Sequence, residues 1–153
     1  MLKKQPINLT IQIECQDKAM IPSKAALRRW IMCALFADAA DYKMTATITL
    51  RFVGKRESRS LNAQFRNKDY ATNVLTFPLN NHDNHIEGDL IFCVPVIQKE
   101  AEEQQKTVQA HFAHMVLHGV LHLRGYDHEH DAEAEIMEAL EARLLAELEP
   151  ELT

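Results

Sequence analysis

The part of this 153-residue chain that could do chemistry is a run of histidines near its C-terminal end, HGVLHLRGYDH. His118 and His122 are four residues apart, so on a helix their imidazoles project from one face, one turn from each other. Two imidazole nitrogens at that spacing can reach one cation at about 2.0–2.1 Å each. Gly125 permits a left-handed turn after the helix, which would bring His128 to the same ion. The spacing therefore predicts a three-histidine metal site whose fourth position stays open to water or substrate, as in catalytic zinc sites.

The same run resembles the zinc-protease motif H-E-x-x-H-x-x-G-x-x-H, but it differs at one position. Gly119 stands where those proteases carry the glutamate that serves as general base. Peptide hydrolysis would therefore lack its proton acceptor. Phosphodiester cleavage can proceed without it, because a metal and a cation stabilise the developing charge while hydroxide or the 2′-hydroxyl of RNA attacks.

A cation for that chemistry is available at Arg66, at the end of a predicted polar helix. The planar guanidinium of arginine can bind two phosphate oxygens at once, which makes Arg66 the candidate catalytic residue. An arginine that lies on the surface without a function is the competing interpretation of the pattern alone.

Candidates for orienting the metal ligands are Asp89, Asp127 and His114. Ligating imidazoles usually donate their second N–H to a carboxylate or a carbonyl oxygen, which either aspartate could supply. His114 lies upstream on nearly the same helix face as His118, so it could orient a ligand or contact substrate. A carboxylate that caps a turn, or a polar side chain on a cleft-facing helix, is the alternative for each.

Charge is unevenly distributed along the chain, whose formal net charge is −5. Residues 24–68 contain ten Lys or Arg against three Asp or Glu, a local charge of +7. Residues 100–153 contain three Lys or Arg against thirteen Asp or Glu, a local charge of −10. A basic segment in an acidic protein can still attract a polyanion, because the local potential governs encounter. Solvated helix faces are the alternative explanation.

No segment has the apolar length of a membrane span. The longest apolar run, residues 30–37, contains eight residues, whereas a span needs about 20. The first residues show no apolar stretch of signal-peptide length before Gln12 and Glu14 interrupt them. We therefore expect a cytoplasmic protein without a membrane partner; the sequence leaves its oligomeric state unknown.

The elements that must position these residues alternate between strands and helices. Alternating apolar and β-branched residues predict strands at 8–14, 45–53, 73–77 and 89–94, with a polar loop at 80–87. Helical periodicity predicts helices at 22–37, 55–66, 96–105 and 108–123, the last two being either separate or one bent helix. A final helix begins at Asp131, with an apolar stripe of Ile136, Met137, Leu140, Leu144 and Leu148. The predicted fold class is α+β, about four strands in one sheet packed with about five helices, of which the C-terminal ones carry the metal site.

Three segments together resemble the YbeY family of bacterial metal-dependent endoribonucleases and rRNA maturation factors. HGVLHLRGYDH matches the family motif H-G-x-L-H-L-x-G-Y-D-H at every fixed position. NAQFRNKDYATNVLTFP is similar to its Y-R-x-K-D-x-P-T-x-V-L-S-F-P segment, with Phe65, Ala71 and Thr76 in place of the usual Tyr, Pro and Ser. Residues 88–90 resemble the family's G-D-I/L strand start, and the order of the segments also agrees, so the resemblance covers nearly the whole chain.

The resemblance implies one zinc ion per chain at His118, His122 and His128, although nickel or another divalent metal also suits three imidazoles. It further implies a functional Arg66 and a single YbeY-like domain over residues 1–153. The implied activity is single-strand-specific cleavage of RNA in 16S rRNA 3′-end maturation and ribosome quality control. Ribosomal RNA and the ribosomal subunit or its proteins are the implied partners.

Two other functions remain compatible with the residues. The protein could be a non-catalytic ribosome-assembly factor whose metal is structural. It could also be a metal hydrolase for peptides or small esters, although the motif supplies no general base for that reaction.

Overall fold

A mixed β-sheet lies at the centre of the molecule in the computed structural model, which describes residues 6–126 and 129–152. In these residues the sheet has four strands: β1 Ile7–Glu14, β2 Thr45–Val53, β3 Val74–Pro78 and β4 His85–Cys93. Their order is β1-β2-β4-β3. β1 and β4 run parallel to β2, and β3 runs antiparallel to β4. The short strand β3 therefore ends the sheet on the side where the functional residues gather.

Five α-helices accompany the sheet within the described part of the chain. They are α1 Lys24–Leu35, α2 Lys55–Arg66, α3 Val94–Glu103, α4 Val108–Leu123 and α5 Asp131–Leu152. Helices α1 and α4 pack together over one face of the sheet, and α5 packs on α4. Helix α2 lies against β4 and α3, where Leu61 and Phe77 pack against the smaller cluster of Val53, Leu75 and Ile91. No described helix combines the length and hydropathy needed to cross a membrane.

The predicted α+β class is confirmed, and so are most of its elements. The predicted strand at 45–53 and the helices at 55–66 and 108–123 have the bounds that the structure shows. Helices α3 and α4 are separate, because Gln105 has a positive φ of 56° and the hydroxyl of Thr107 caps α4 by accepting the N–H of Ala110.

Two local predictions are wrong. The segment 85–87 is the start of β4 rather than part of a loop, and it pairs in register with residues 45–47 of β2. Hydroxyl groups of Thr45 and Thr47 bond the ring of His85, so polar residues occupy a half-buried strand there. Ile136, placed in the apolar stripe of the last helix, is 61% exposed, because Met137 and Leu144 carry the buried face of α5.

A glycine in β4 permits the close approach of the histidine-bearing helix to the sheet. A Cβ added to Gly88 would lie 2.5 Å from the side chain of Leu123 and 2.8 Å from the carbonyl oxygen of Phe77. Leu123 follows His122 at the end of α4. The absence of a side chain at position 88 thus allows the end of α4 to approach β3 and β4.

We expect Gly88→Ala to lower the free energy of unfolding by about 1–3 kcal/mol, because the added methyl group overpacks a site bounded partly by backbone. Chemical denaturation monitored by circular dichroism measures this change. Gly54→Ala is the matched control, since a Cβ there meets no atom within 4 Å, and it should change stability by less than about 1 kcal/mol. Equal stability of the two variants would contradict the close approach of α4 to the sheet.

Candidate metal centre

A cleft of about 630 Å³ lies between the end of α2, the strand β3 and the helices α4 and α5. It brings Arg66 into the same cavity as three histidines of α4 that lie about fifty residues further along the chain. The walls consist of Arg66, Thr72, Asn73, Val74, Thr76, His114, Met115, His118, His122, Glu129, Met137, Glu138 and Glu141.

His118 and His122 face this cleft from successive turns of α4, as their spacing predicts. Their rings are nearly parallel, with an interplanar angle of 10° and centroids 6.3 Å apart. The side chain of His118 is 23% exposed, so the ring is packed but reachable. Two parallel imidazoles on one helix face are an arrangement that can direct two nitrogens toward one cation.

The Nδ1 atoms of both rings are hydrogen-bonded to oxygen acceptors. Nδ1 of His122 donates to the carbonyl oxygen of Tyr126 at 3.0 Å, and Nδ1 of His118 donates to Oε1 of Glu141 at 2.5 Å. A carbonyl or carboxylate oxygen can only accept, so Nδ1 is the donor atom of each ring in these bonds. Metal-ligating histidines usually have this arrangement. The donor set of this pair therefore fits a divalent metal ion.

Glu141, a residue that our sequence analysis did not select, anchors this arrangement from α5. Its side chain is buried, and the residue is 7% exposed. Oε1 accepts from His118, and Oε2 accepts from Nε2 of His114 at 3.2 Å. Burial disfavours the charged carboxylate, but the hydrogen bonds from the two histidines outweigh it and lower the pKa of Glu141 to about 2. The carboxylate is therefore ionised and acts as an acceptor throughout the neutral range.

His114 completes a chain of contacts behind the ligand pair. Lys106 donates from Nζ to Nδ1 of His114 at 3.3 Å, which leaves the His114 proton on Nε2 for the bond to Glu141. Behind it, the buried His111 bonds Glu100 at 2.9 Å, and burial lowers the pKa of His111, so its ring stays neutral. Glu100 also accepts from the side-chain amide of Asn73, a residue of the cleft wall.

The turn after α4 holds His122 from the other side. Gly125 has a φ of 98°, which confirms the predicted left-handed turn. Arg124 donates to the carbonyl oxygen of Ala34 at 2.8 Å and pairs with Asp41 at 2.9 Å. Its guanidinium lies 5.8 Å from the centroid of the Tyr126 ring, and the Tyr126 carbonyl bonds His122. The end of α4 is thus tied to α1 beside the ligand pair.

Arg66 reaches the cleft because α2 ends there. Asn67 caps the helix in the left-handed conformation, and the N–H of Lys68 bonds the carbonyl oxygen of Asn62. The following loop is held along α2 by two buried polar side chains. Asn62 donates to the carbonyl oxygen of Tyr70 at 2.9 Å, and the hydroxyl of Ser58 bonds both the N–H and the carbonyl oxygen of Thr72 at 3.0 Å.

Comparison with known proteins identifies the family. Residues 12–149 match the family model described as Endoribonuclease YbeY. The chain belongs to the YbeY family.

Relatives named Endoribonuclease YbeY resemble the chain over most of its length. The protein of Stutzerimonas stutzeri is 49% identical over 92% of this chain and 88% of its own. The protein of Pseudomonas putida strain W619 is 51% identical over 92% of this chain and 89% of its own. The solution structure of TM1509 from Thermotoga maritima covers 93% of this chain and 91% of that chain, with a TM-score of 0.62 and 27% identity.

Four of the seven predicted site residues lie in the cleft, one lies elsewhere, and two lie outside the described residues. Arg66, His114, His118 and His122 share one cleft. Asp127 and His128 lie outside the described residues. Within residues 6–126 and 129–152, no group of three His, Cys, Asp or Glu side chains is placed to hold a metal ion. The third ligand therefore remains a prediction.

Asp89 is not brought to the histidines. Its neighbour Leu90 faces α4, since a Cβ at Gly119 would lie 2.9 Å from the Leu90 methyl carbons. Successive strand residues face opposite sides of a sheet, so Asp89 faces the α2 side. The orienting carboxylate beside His118 is Glu141 instead. The one signal of it in the sequence is its spacing of four from Met137 and three from Leu144, which places a charged residue in the buried stripe of α5.

We expect Glu141→Gln to weaken zinc binding about 10–100-fold, because the amide cannot accept hydrogen bonds from both His118 and His114 as the carboxylate does. Competition with a chromophoric chelator measures the affinity without any RNA. Glu135→Gln makes the same chemical change at an exposed position of α5 and should keep the wild-type affinity. The orienting role is excluded if both variants bind zinc equally well.

Proposed function

We propose that this protein is a metal-dependent endoribonuclease that cleaves single-stranded RNA in the cleft between α2, α4 and α5. One observation carries the proposal: two histidines whose Nδ1 atoms are bonded to oxygen acceptors, as in metal-ligating imidazoles, line the same cleft as an arginine at a helix end. The metal would be zinc, held by His118 and His122 with His128 as third ligand, and residues 1–153 would act as one domain. When bound, the ion supplies Lewis-acid stabilisation of a phosphoryl oxygen.

The chain's own residues divide the remaining work. Arg66 donates from its guanidinium to phosphate oxygens as negative charge develops on them, which is the contribution expected of a preorganised cation. Glu141 and the Tyr126 carbonyl keep the His118 and His122 protons on Nδ1. The helix α4 and the anchored turn at Arg124 keep this geometry rigid before substrate arrives.

Two exposed aromatic side chains, one preceding Arg66 in the sequence and one in the loop after α2, support a preference for unpaired RNA. Phe65 is 57% exposed and Tyr70 is 56% exposed. The ring of Phe65 rests against Phe77 with centroids 5.2 Å apart and an interplanar angle of 74°. Unpaired bases stack on such aromatic faces, whereas bases within a duplex are not available for it.

Membership of the family supports a proposal for the substrate and the cellular setting. Relatives are named endoribonucleases, and the histidine motif resembles that of a family of rRNA maturation factors. We propose 16S rRNA 3′-end maturation and ribosome quality control as the process, in the cytoplasm, with the ribosomal subunit or its proteins as partners.

The two alternative functions receive less support. A non-catalytic assembly factor with a structural metal does not account for Arg66 in the wall of the histidine cleft or for relatives named as endoribonucleases. A peptidase would need a general base at position 119. Gly119 faces Leu90 of the sheet and is buried, so a side chain there would not enter the cleft.

We expect the purified protein to cleave labelled rRNA fragments, to lose this activity with a chelator, and to regain it with zinc. His118→Ala should abolish cleavage, because it removes a predicted ligand. Arg66→Ala should lower kcat by about 10²–10³-fold, as the loss of one charge-stabilising donor does. The control is His82→Ala, a histidine in an exposed loop outside the cleft. Undiminished cleavage after chelation, or by His118→Ala, would rule out the proposed mechanism.

A further inference from the structure

Acidic and basic residues lie on different walls of the cleft. Helix α5, which forms one wall, contains eight acidic residues and a single arginine. Its Glu138 and Glu141 line the cleft itself. The opposite wall ends in Arg66, the last residue of a helix with Lys55, Arg56 and Arg59. A phosphate backbone that approaches over α5 is repelled, whereas one that approaches over α2 is attracted.

A second cavity, which we call the α2 groove, runs along this basic helix. Its volume is about 560 Å³, and it is lined by Lys55, Arg56, Arg59, Ser60, Ala63, Asp69 and Ala71. The same loop contributes to both cavities: Ala71 lines the groove and the next residue, Thr72, lines the cleft. A strand that leaves the cleft past Thr72 and follows this loop would reach the groove at Ala71 and Asp69.

The positions of the basic residues on α2 fit an extended polyanion. Lys55, Arg59 and Arg66 are spaced by four and seven residues, so they share one side of the helix. From Lys55 to Arg66 the helix spans about 17 Å along its axis. The cations thus form a line that ends at the cleft.

Most other arginines of the basic segment 24–68 form hydrogen bonds or ion pairs within the protein. Arg28 donates to the carbonyl oxygen of Ile7, and Arg29 pairs with Glu151. Arg51 pairs with Glu14 and Glu57.

In the groove itself, Arg59 pairs with Asp69, whereas Lys55 and Arg56 form no ion pair with a carboxylate of residues 6–126 and 129–152. Helix α2 therefore presents the unpaired charges of Lys55 and Arg56 in the groove, beside Arg66 at the cleft.

We propose that the α2 groove binds the phosphate backbone of the RNA segment next to the one in the cleft, with Lys55 and Arg56 as its phosphate contacts. The substrate strand then crosses the protein over α2 and not over α5. This inference rests on the proposed endoribonuclease function, and it adds where the flanking nucleotides lie.

Salt dependence of RNA binding tests the proposal. A fluorescent single-stranded 2′-O-methyl RNA of about a dozen nucleotides is titrated with the full chain between about 50 and 200 mM salt. The double variant Lys55→Gln, Arg56→Gln should bind more weakly, and the slope of log K against log salt should become shallower by about 1–2. The matched control is Lys24→Gln, Lys43→Gln, which removes two exposed lysines that lie outside the groove. It should keep the wild-type slope.

An unchanged slope in the groove variant would overturn the proposal, and so would an equal loss of slope in both double variants. Thermal melting verifies that both variants stay folded, which their exposed positions favour. Cleavage by the wild-type protein is measured separately. If the groove variant shows the expected shallower slope while the wild type cleaves no RNA, the groove stands as an RNA-binding site and the endoribonuclease function fails.

Discussion

The site depends on one buried carboxylate. Glu141 carries a negative charge inside the interface between α5 and α4, where an unpaired charge would be strongly unfavourable. Two imidazole N–H groups, from His118 and His114, stabilise it there. The same two bonds join α5 to α4, and the bond from His118 makes its Nδ1 the donor atom. One interaction thus connects the packing of the last helix with the chemistry of the first ligand.

Helix α4 links this interaction to the rest of the molecule. Side-chain bonds anchor α4 at both ends. Thr107 caps its start, and Arg124 bonds Ala34 at the end of α1 and Asp41 after it. At the far end of α5, Glu151 accepts the indole N–H of the buried Trp30 at 2.7 Å. Functional side chains on helices that are anchored at both ends hold their geometry better than side chains on loops.

The distribution of charge separates two tasks around one cleft. On the α5 side the Glu141 carboxylate bonds His118 and His114, and a cation suits such surroundings. Guanidinium and ammonium groups on the α2 side suit phosphates. A protein with a net charge of −5 can therefore present a basic approach to a polyanion, because the two kinds of charge lie on opposite walls.

The sequence by itself determined the α+β class, the histidine spacing on α4, the left-handed turn at Gly125 and the bounds of α2 and α4. These features follow from local periodicity, caps and backbone preferences, which adjacent residues encode. The sequence analysis missed the start of β4, because His85 and Glu87 adopt the strand conformation by pairing with β2. The sequence analysis selected Asp89 and not Glu141 as an orienting carboxylate for the same kind of reason. Which face of β4 meets α4, and which turn of α5 meets His118, depends on how elements distant in sequence pack. Only the tertiary structure decided these contacts. It also decided that Arg66 lies in one cleft with the histidines, through the strand order β1-β2-β4-β3.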